Sequence, residues 1–311
     1  MSDYHRPLYY FDVAQDFVKK VLKIPEEDPE YENIAFSIYK EERVPLFAKD
    51  TLKNPPIRNA AYKDEDARNL LRKQIVHEMI TLERLDDDEQ VRLGTGGAKP
   101  KSVVGSKRKM FYVIGLPASG KSSICGKICD MFGAYLLDSD LVKRKLPEFY
   151  EKSGASLVHK ESSIITMGGP FKGKMFDSIL NYCYLHGLNI CLPKIGNNQD
   201  DIEKLCSLLK DIGYSIYIVL VSLDRTIATK RAFERYQRTN RYVPLSLIFD
   251  GYANDPILCY YRLRKKHENG DRTIDGMIAL STNVPRNAPL EILDDKYSDS
   301  ILDKYLKTIR P

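Results

Sequence analysis

The sequence contains no hydrophobic run that approaches the roughly 20 residues needed by a membrane-spanning helix. Its first residues, MSDYHRPLYYFDVAQDF, place acids among the apolar side chains and lack the long hydrophobic stretch of a secretory signal. We therefore expect the 311-residue chain to be a cytoplasmic protein with no membrane partner.

Paired cysteines and dense basic tracts are also lacking. None of the six cysteines forms a C-x-x-C, and none is combined with histidine at zinc-finger spacing. This excludes a zinc finger and favours buried thiols in a reducing compartment. The net charge of +5 is not concentrated in a Lys/Arg tract. It permits an anionic substrate but argues against nucleic acid as the partner.

The chain has no internal repeat, and its pattern changes once, near residue 105. Before that point, apolar residues recur at helical spacing in Leu8–Leu22 and Ala67–Leu82. Prolines interrupt the pattern between these segments, so loops and short helices are expected there. These prolines are Pro25, Pro29, Pro45, Pro55 and Pro56. We predict a mainly helical accessory region over residues 1–105 and an α/β domain over residues 106–311.

Two segments near this boundary carry unusual compositions. LDDDEQ at Leu85–Gln90 is typical of a solvated acidic surface. GTGGAKPKSVVGSKRK, which starts at Gly94, is not a dinucleotide fingerprint, because Lys99 stands where the third glycine should be and no strand precedes it. It is either a flexible connector or a backbone nest that touches a ligand or docks the helical region.

After residue 110 short apolar runs alternate with helical patterns. The predicted strands are Phe111–Gly115, Tyr135–Asp138, Asn189–Ile195, Ser215–Val221 and Met277–Thr282. The predicted helices are Lys121–Phe132, Lys174–Leu185, Asp201–Leu209 and Thr226–Tyr236. This alternation predicts a mostly parallel sheet with helices on both faces, in which ligands bind at the carboxyl ends of the strands.

GLPASGKSS at Gly115–Ser123 directly follows the first predicted strand and fits the phosphate-loop pattern G-x-x-x-x-G-K-[ST] at every fixed position. Gly115 and Gly120 let the backbone N–H groups face one anion, and the helix that follows adds its positive end. Lys121 can reach the β- and γ-phosphates, and the Ser122 hydroxyl would bind Mg²⁺. The other predicted nucleotide contacts in the loop are Pro117, Ala118, Ser119 and Ser123.

Asp138 and Asp140 lie at the carboxyl end of the second predicted strand and can both face the phosphate loop. Two acids there suit phosphoryl transfer to a hydroxyl. Asp138 would orient Mg²⁺ through water and face the substrate, while Asp140 would accept the proton of the acceptor hydroxyl. The alternative is that both residues only cap the next helix.

Four arginines mark the segment TKRAFERYQRTNRYVP. Arg231, Arg235 and Arg238 lie along one helical stripe, and Arg241 follows in a looser segment before Pro244. Their guanidinium groups could form a lid over the transferring phosphoryl group. A solvated basic face is the alternative.

Three motifs of the sequence together resemble the zeta toxins of bacterial toxin–antitoxin systems. They are GLPASGKSS, the DSD followed by VKRKLPEFYEKSGASLVHKESS, and the arginine helix ending in NRYVP. The resemblance covers roughly Lys109–Asn254 and implies a kinase fold built around a phosphate loop. It also implies that ATP and Mg²⁺ are used to phosphorylate a sugar hydroxyl of UDP-N-acetylglucosamine, or another nucleotide such as NAD. The positions that match the family's functional residues are Asp140 (general base), Lys121 (phosphate-loop lysine), Arg235 or Arg231 with Arg241 (lid) and Asp177 (near the substrate).

The acceptor half of the site departs from the family pattern. Compact zeta toxins carry Glu-Gly-Thr-x-Arg after the third strand, whereas this chain has Pro193, Lys194, Ile195, Gly196 and Asn197. Lys194 could hold a substrate phosphate, although it lacks the bidentate geometry of arginine. The identity of the acceptor therefore does not carry over from the family.

His159 and Glu161, in GASLVHKESS, are expected at the edge of the acceptor cleft, where they would contact the acceptor. The alternative for His159 is a satisfied structural histidine. A metal site there is not expected, because no further ligand stands at suitable spacing.

Three functions follow from these observations. The first is an ATP-dependent phosphotransferase acting on a hydroxyl of a nucleotide or nucleotide sugar. The second is a kinase for a nucleic-acid end, and the third is a nucleotide-binding interaction module without transfer activity. By resemblance, a separate helical antitoxin could block the ATP site. The region 1–105 either packs beside the cleft and restrains it or is a plain accessory or solubilising domain.

Overall fold

The computed structural model describes residues 7–44, 49–151, 154–171, 174–239, 241–285 and 288–298. The strands in these residues, in chain order, are β1 (Lys109–Ile114), β2 (Tyr135–Leu136), β3 (Pro170–Phe171), β4 (Lys174–Met175), β5 (Ile190–Lys194), β6 (Ser215–Ser222), β7 (Gly276–Ser281) and β8 (Glu291–Tyr297). Six of them form one sheet in the order β2-β5-β1-β6-β7-β8. All pairs in this sheet are parallel except that of β8 with β7. The predicted mostly parallel sheet is confirmed.

Helices cover both faces of this sheet. They are α1 (Phe11–Phe17), α2 (Tyr31–Arg43), α3 (Glu65–Thr81), α4 (Lys121–Phe132), α5 (Ser139–Lys145), α6 (Gly154–Leu157), α7 (His159–Met167), α8 (Ile179–Leu185), α9 (Gln199–Asp211), α10 (Arg225–Thr239) and α11 (Asp255–Glu268). Two π-helical turns, Val18–Leu22 and Leu247–Tyr252, follow α1 and precede α11. Within the described ranges, no helix is long and apolar enough to cross a membrane.

Most elements lie where the sequence predicts them, and α4 has the predicted bounds. The helix predicted over Lys174–Leu185 is wrong in its first part, because residues 174–175 pair in the β3–β4 hairpin. That helix starts only at Ile179, where the Ser178 hydroxyl accepts a hydrogen bond from the Asn181 N–H at 3.1 Å. In the proline-interrupted stretch, α2 runs for 13 residues, longer than expected. Pro45 lies outside the described residues.

The described residues form two apolar cores, and each contains residues from both sides of the predicted division at residue 105. In the larger core, Leu71, Ile75 and Met79 of α3 pack with the strands of the sheet. In the smaller one, α1 and α2 pack against α10 and the turn Leu247–Tyr252. The helical region before residue 105 therefore shares both cores with the region after it.

The glycine-rich stretch after Gly94 docks the helical region onto the sheet and does not behave as a flexible connector. The Ala98 N–H donates to the Met79 carbonyl of α3 at 2.8 Å, and the Ala98 carbonyl accepts from the Leu136 N–H of β2 at 2.9 Å. Ala98 is also fully buried. Its backbone thus joins α3 to the edge strand of the sheet.

A buried ion network provides a second connection between the two regions. Arg68 of α3 donates to both oxygens of Glu148 and both oxygens of Glu161 at 2.7–3.0 Å. Arg72 donates to Glu161 at 2.7 Å and to Glu65 at 2.6 Å. Arg68, Glu148 and Glu161 are fully excluded from solvent. Charges buried in this way require partners, so α3 and the segment around α7 depend on each other.

Candidate active site

The phosphate loop connects the carboxyl end of β1 to the start of α4. Gly120 has a φ of +89°, a left-handed conformation that favours glycine. Gly115 approaches β6 so closely that a Cβ atom there would lie 2.4 Å from the Val221 carbonyl oxygen. Both glycines of the motif are thus required by the backbone, and the N-terminus of the 12-residue α4 is placed behind the loop.

Lys121 lies across this loop. Its Nζ atom donates to the Gly115 and Leu116 carbonyls at 2.7 and 2.6 Å. Burial lowers the pKa of Lys121 to about 8, while Asp138 and Asp140 act in the opposite direction. The amino group therefore remains mostly protonated at neutral pH, and its positive charge interacts favourably with the two aspartates.

Asp138 and Asp140 lie where β2 leads into α5. The Asp138 carboxylate accepts a hydrogen bond from the Asp140 N–H at 2.8 Å, so Asp138 caps α5 as well as facing the site. Burial and the neighbouring charge of Asp140 raise the pKa of Asp138 to about 6. Capping and a role in the site are therefore combined in one residue.

Asp140 carries the stronger negative charge of the pair. Burial raises its pKa, but Lys143, at 2.8 Å, and Arg241 lower it to well below its ordinary value. One of its oxygens forms an ion pair with Arg241. The structure thus brings together the predicted base and one of the predicted lid arginines.

The arginine stripe of α10 divides into two groups. Arg231 donates to the Thr282 carbonyl at 3.2 Å, and the Arg235 Nε atom is buried without a hydrogen-bond partner among the described residues. Burial and the charge of Arg241 lower the pKa of Arg235. Arg238, in contrast, is exposed, and its hydrogen bond among the described residues goes to the Glu234 carbonyl of its own helix. The site therefore holds three of the four arginines.

The sequence analysis missed two residues of the site. Thr282, at the carboxyl end of β7, is buried, and its hydroxyl donates to the Ser119 carbonyl at 2.7 Å. The rule that ligands gather at strand ends could have identified it. Glu89 accepts from Arg241 at 3.4 Å and forms an ion pair with Arg144 at 2.6 Å. Glu89 is exposed, as the interpretation of LDDDEQ as a solvated surface predicts, but it also pairs with two arginines near the site.

His159 and Lys194, the predicted acceptor contacts, interact electrostatically with the aspartate pair. Burial and the charge of Lys143 lower the pKa of His159, while Asp140 acts in the opposite direction. Burial also lowers the pKa of Lys194, and Asp138 raises it. Both side chains are therefore close enough to the aspartates to interact with them. Asp177 is exposed just before α8, and no hydrogen bond or ion pair joins its side chain to the described site residues.

Glu161 does not belong to this cleft, which corrects the expectation from the sequence. Its carboxylate is fully buried and accepts hydrogen bonds from Arg68, Arg72 and Thr51. No lone pair is directed to solvent, so the side chain cannot contact an acceptor. The HKESS motif therefore divides: His159 is partly exposed and interacts electrostatically with Asp140, whereas Glu161 lies inside the ion network.

The donor set fits a nucleotide with its magnesium ion. The Ser119 Oγ and Arg235 Nε atoms are buried without partners in the described part of the chain, as expected for groups that await a polar ligand. Ser122 and Asp138 are the oxygen donors that the sequence predicts for a divalent cation. The described residues contain no cluster of three or more metal-binding side chains. Mg²⁺ commonly uses one or two protein oxygens and completes its shell with phosphates and water.

The fold and the site define a nucleotide-binding phosphotransferase of the phosphate-loop class. The profile of the Zeta toxin family matches residues 96–254, just over half of the chain, and the chain belongs to this family. Lys121, Asp140 and Arg241 all lie within the matched segment.

Several solved structures are similar at low sequence identity. The PezAT toxin–antitoxin system of Streptococcus pneumoniae shares 13% identity over 64% of this chain and 76% of that chain, with a TM-score of 0.47. A chain of the AvrRxo1-ORF1:-ORF2 complex shares 15% sequence identity, covers 82% of the present chain and 76% of its own length, and has a TM-score of 0.49. A gluconokinase from Sinorhizobium meliloti shares 14% over 58% and 85%, with a TM-score of 0.32. Likenesses of this degree carry no argument about activity. No curated protein matches the chain.

Proposed function

We propose that the protein transfers the γ-phosphate of ATP to a hydroxyl group of a nucleotide or nucleotide sugar. The observation that carries this proposal is the position of Asp140, an ionised carboxylate that pairs with Arg241 and lies within electrostatic reach of Lys121. A base, a phosphate-binding lysine and a lid arginine are the groups that phosphoryl transfer to an alcohol requires.

Lys121 and the backbone N–H groups of the loop would hold the phosphates of ATP. To do so, the Lys121 ammonium exchanges the Gly115 and Leu116 carbonyls for phosphate oxygens. Ser122 and Asp138 would hold Mg²⁺, which neutralises phosphate charge when it is bound. Arg231 lies beside the loop through its contact with Thr282, so it is placed to contact the nucleotide.

Asp140 would accept the proton of the acceptor hydroxyl. In the structure Arg241 occupies one oxygen of this carboxylate, so Arg241 must turn away from Asp140 before the hydroxyl can approach it. The phosphoryl group is the anion to which Arg241 and Arg235 can then donate. The exchange would couple the release of the base to the arrival of the phosphoryl group.

His159 and Lys194 would contact the acceptor. Both interact electrostatically with the aspartate pair, and Lys194 would supply a cation for an acceptor phosphate. Asp177 keeps its place in the proposal only through the family resemblance. Because the family's acceptor motif is replaced here, the resemblance does not fix the acceptor, and the proposal covers a nucleotide sugar of the UDP-N-acetylglucosamine type and another nucleotide such as NAD.

The proposal is tested by incubating the pure protein with [γ-³²P]ATP and a cell metabolite extract, and identifying the labelled product by mass. We expect one labelled nucleotide-containing product that is absent with Lys121→Ala. ATP binding without any labelled product would instead support the interaction module. A labelled oligonucleotide end would support the nucleic-acid kinase.

A partner that controls this activity is also part of the proposal. Zeta toxins are held by antitoxins, and here the helical region 1–105 already reaches the site through the contact of Glu89 with Arg241. Restraint from within the chain would then replace, or be added to, a separate antitoxin. Co-purification with a helical protein encoded beside it would support the separate antitoxin.

A further inference from the structure

The segment that carries Arg241 is anchored to α2 by a single buried carboxylate. Glu42 accepts hydrogen bonds from the Tyr242 hydroxyl at 2.7 Å, the Ser246 N–H at 3.2 Å and the Ser246 hydroxyl at 2.5 Å. Its side chain is only 7% exposed. Three donors of the segment just after Arg241 thus converge on one residue located about 200 positions earlier in the chain.

Neighbouring contacts support the same anchor. The Tyr242 ring packs edge-on against the Tyr236 ring of α10, with centroids 5.0 Å apart. The Tyr236 hydroxyl is in turn hydrogen-bonded to Ser37 of α2 at 2.8 Å. Both ends of the turn from α10 to the π-helical segment are therefore attached to α2.

The choice of a carboxylate at position 42 is informative. Among the described residues no lysine or arginine forms an ion pair with Glu42, and the groups that contact its carboxylate there are the three hydrogen-bond donors. Burying a carboxylate without a cation is costly unless its hydrogen bonds are well formed. Apolar packing would hold the helix at a lower cost, whereas three directed bonds fix the position of the chain next to Arg241.

Glu89 holds the other end of the Arg241 side chain. One guanidinium nitrogen of Arg241 donates to Glu89 at 3.4 Å, and the other contacts Asp140. Glu42 therefore fixes the backbone after Arg241, while Glu89 and Asp140 receive its guanidinium group.

We infer that Glu42 is a positioning residue for the reaction: it acts through Arg241 by fixing the segment Tyr242–Ser246, and so it sets where the lid arginine meets Asp140. This inference rests on the proposed function for its catalytic consequence. The lid is then a segment braced by the N-terminal region, in which the Arg241 side chain moves while its backbone stays in place.

The test compares Glu42→Gln with Glu32→Gln, a control on the exposed face of the same helix. We expect Glu42→Gln to lower kcat roughly ten- to hundredfold, because a small misplacement of a phosphoryl-binding group is sufficient for such a loss. The KM for ATP should stay within about twofold, because Lys121 and the loop are untouched. Glu32→Gln should leave both constants unchanged.

A double-mutant cycle with Arg241→Ala separates positioning from a merely structural role. If Glu42 acts through Arg241, Glu42→Gln should change kcat by less than about twofold once Arg241 is absent. An equal loss in both backgrounds would overturn the inference. Tyr242→Phe keeps the ring packing and removes one donor, so it repeats the cycle if Glu42→Gln does not fold.

Limited trypsin digestion provides a readout that does not depend on activity. Glu42→Gln should speed cleavage after Arg241, while Glu32→Gln should not. If the wild type transfers no phosphate, the proposed function fails but the digestion still decides whether Glu42 anchors the segment. Cleavage at the wild-type rate in Glu42→Gln would show that it does not.

Discussion

Glu161→Gln removes a buried negative charge on which two arginines converge. Arg68 and Arg72 contribute three hydrogen bonds to this carboxylate at 2.7–2.8 Å, and Thr51 adds one at 2.5 Å. Breaking one partner of a buried ion pair typically costs about 3–5 kcal/mol. Each arginine keeps a second carboxylate, Glu148 or Glu65, so we expect the lower end of that range.

A loss of about 3 kcal/mol corresponds to roughly a hundredfold change in the unfolding equilibrium constant. With a urea dependence of about 3 kcal/mol/M, the unfolding midpoint should fall by roughly 1 M. Far-ultraviolet circular dichroism is a suitable probe, because the chain contains no tryptophan for fluorescence. The free energy of unfolding should fall, while the KM for the acceptor should not change.

Lys160→Gln is the matched control, since Lys160 is the neighbour of Glu161 on α7. Its ion pair with Asp50 spans 3.3 Å and its side chain is 60% exposed, so the cost should be below about 1 kcal/mol. A midpoint for Glu161→Gln within about 0.3 M of the wild type, which corresponds to a loss of less than about 1 kcal/mol at that slope, would refute the reasoning. A higher KM for the acceptor in that variant would indicate that Glu161 contacts the acceptor after all.

Three further predictions concern the rest of the molecule. Deleting residues 1–100 should give an aggregated protein, because the deletion exposes the apolar surface under α3 and leaves Glu148 and Glu161 buried without their arginine partners. A truncated protein that is monomeric in gel filtration and has a higher turnover rate would contradict this. Burial raises the pKa of Glu65, but hydrogen bonds from Arg58 and Arg72 lower it to about 2. Its stabilising effect should therefore be complete above its ordinary pKa of 4.5 and disappear as the pH falls towards 2, and acid titration of Glu65→Gln should show a flatter loss of unfolding free energy. Gly120→Ala should weaken ATP binding by roughly ten- to hundredfold in calorimetry, because alanine is strained at a φ of +89° and its methyl group would meet Thr282 at 3.3 Å; unchanged affinity would count against the loop geometry.

The parts of the fold that the sequence predicts are those with local causes. A strand that is buried on both faces has a short run of apolar residues, which identifies β1. The phosphate loop requires glycines at fixed positions, and this pattern identifies the start of α4. The edge strand β8 could not, because Glu291–Tyr297 is largely polar and pairs on one side only. Its stability comes from β7, a partner that the local pattern does not reveal.

The site was predictable on the phosphate side and less so on the other. Lys121, Asp140 and Arg241 belong to compact motifs, whereas the contacts of Glu42 and Glu89 with the lid join residues more than 150 positions apart. Glu161 was assigned wrongly for the same reason, because its partners are distant in the sequence. Its motif resembles an acceptor contact, but its arginine partner lies 93 residues earlier on α3.

The central claim is that the carboxylate of Asp140 draws the proton from the acceptor hydroxyl. Once the labelled product has been identified, Asp140→Asn should be compared with the wild type at saturating ATP. The account predicts that kcat falls about 10²- to 10⁴-fold while the Kd for ATP stays within a few-fold. Turnover of Asp140→Asn near the wild-type rate would contradict it.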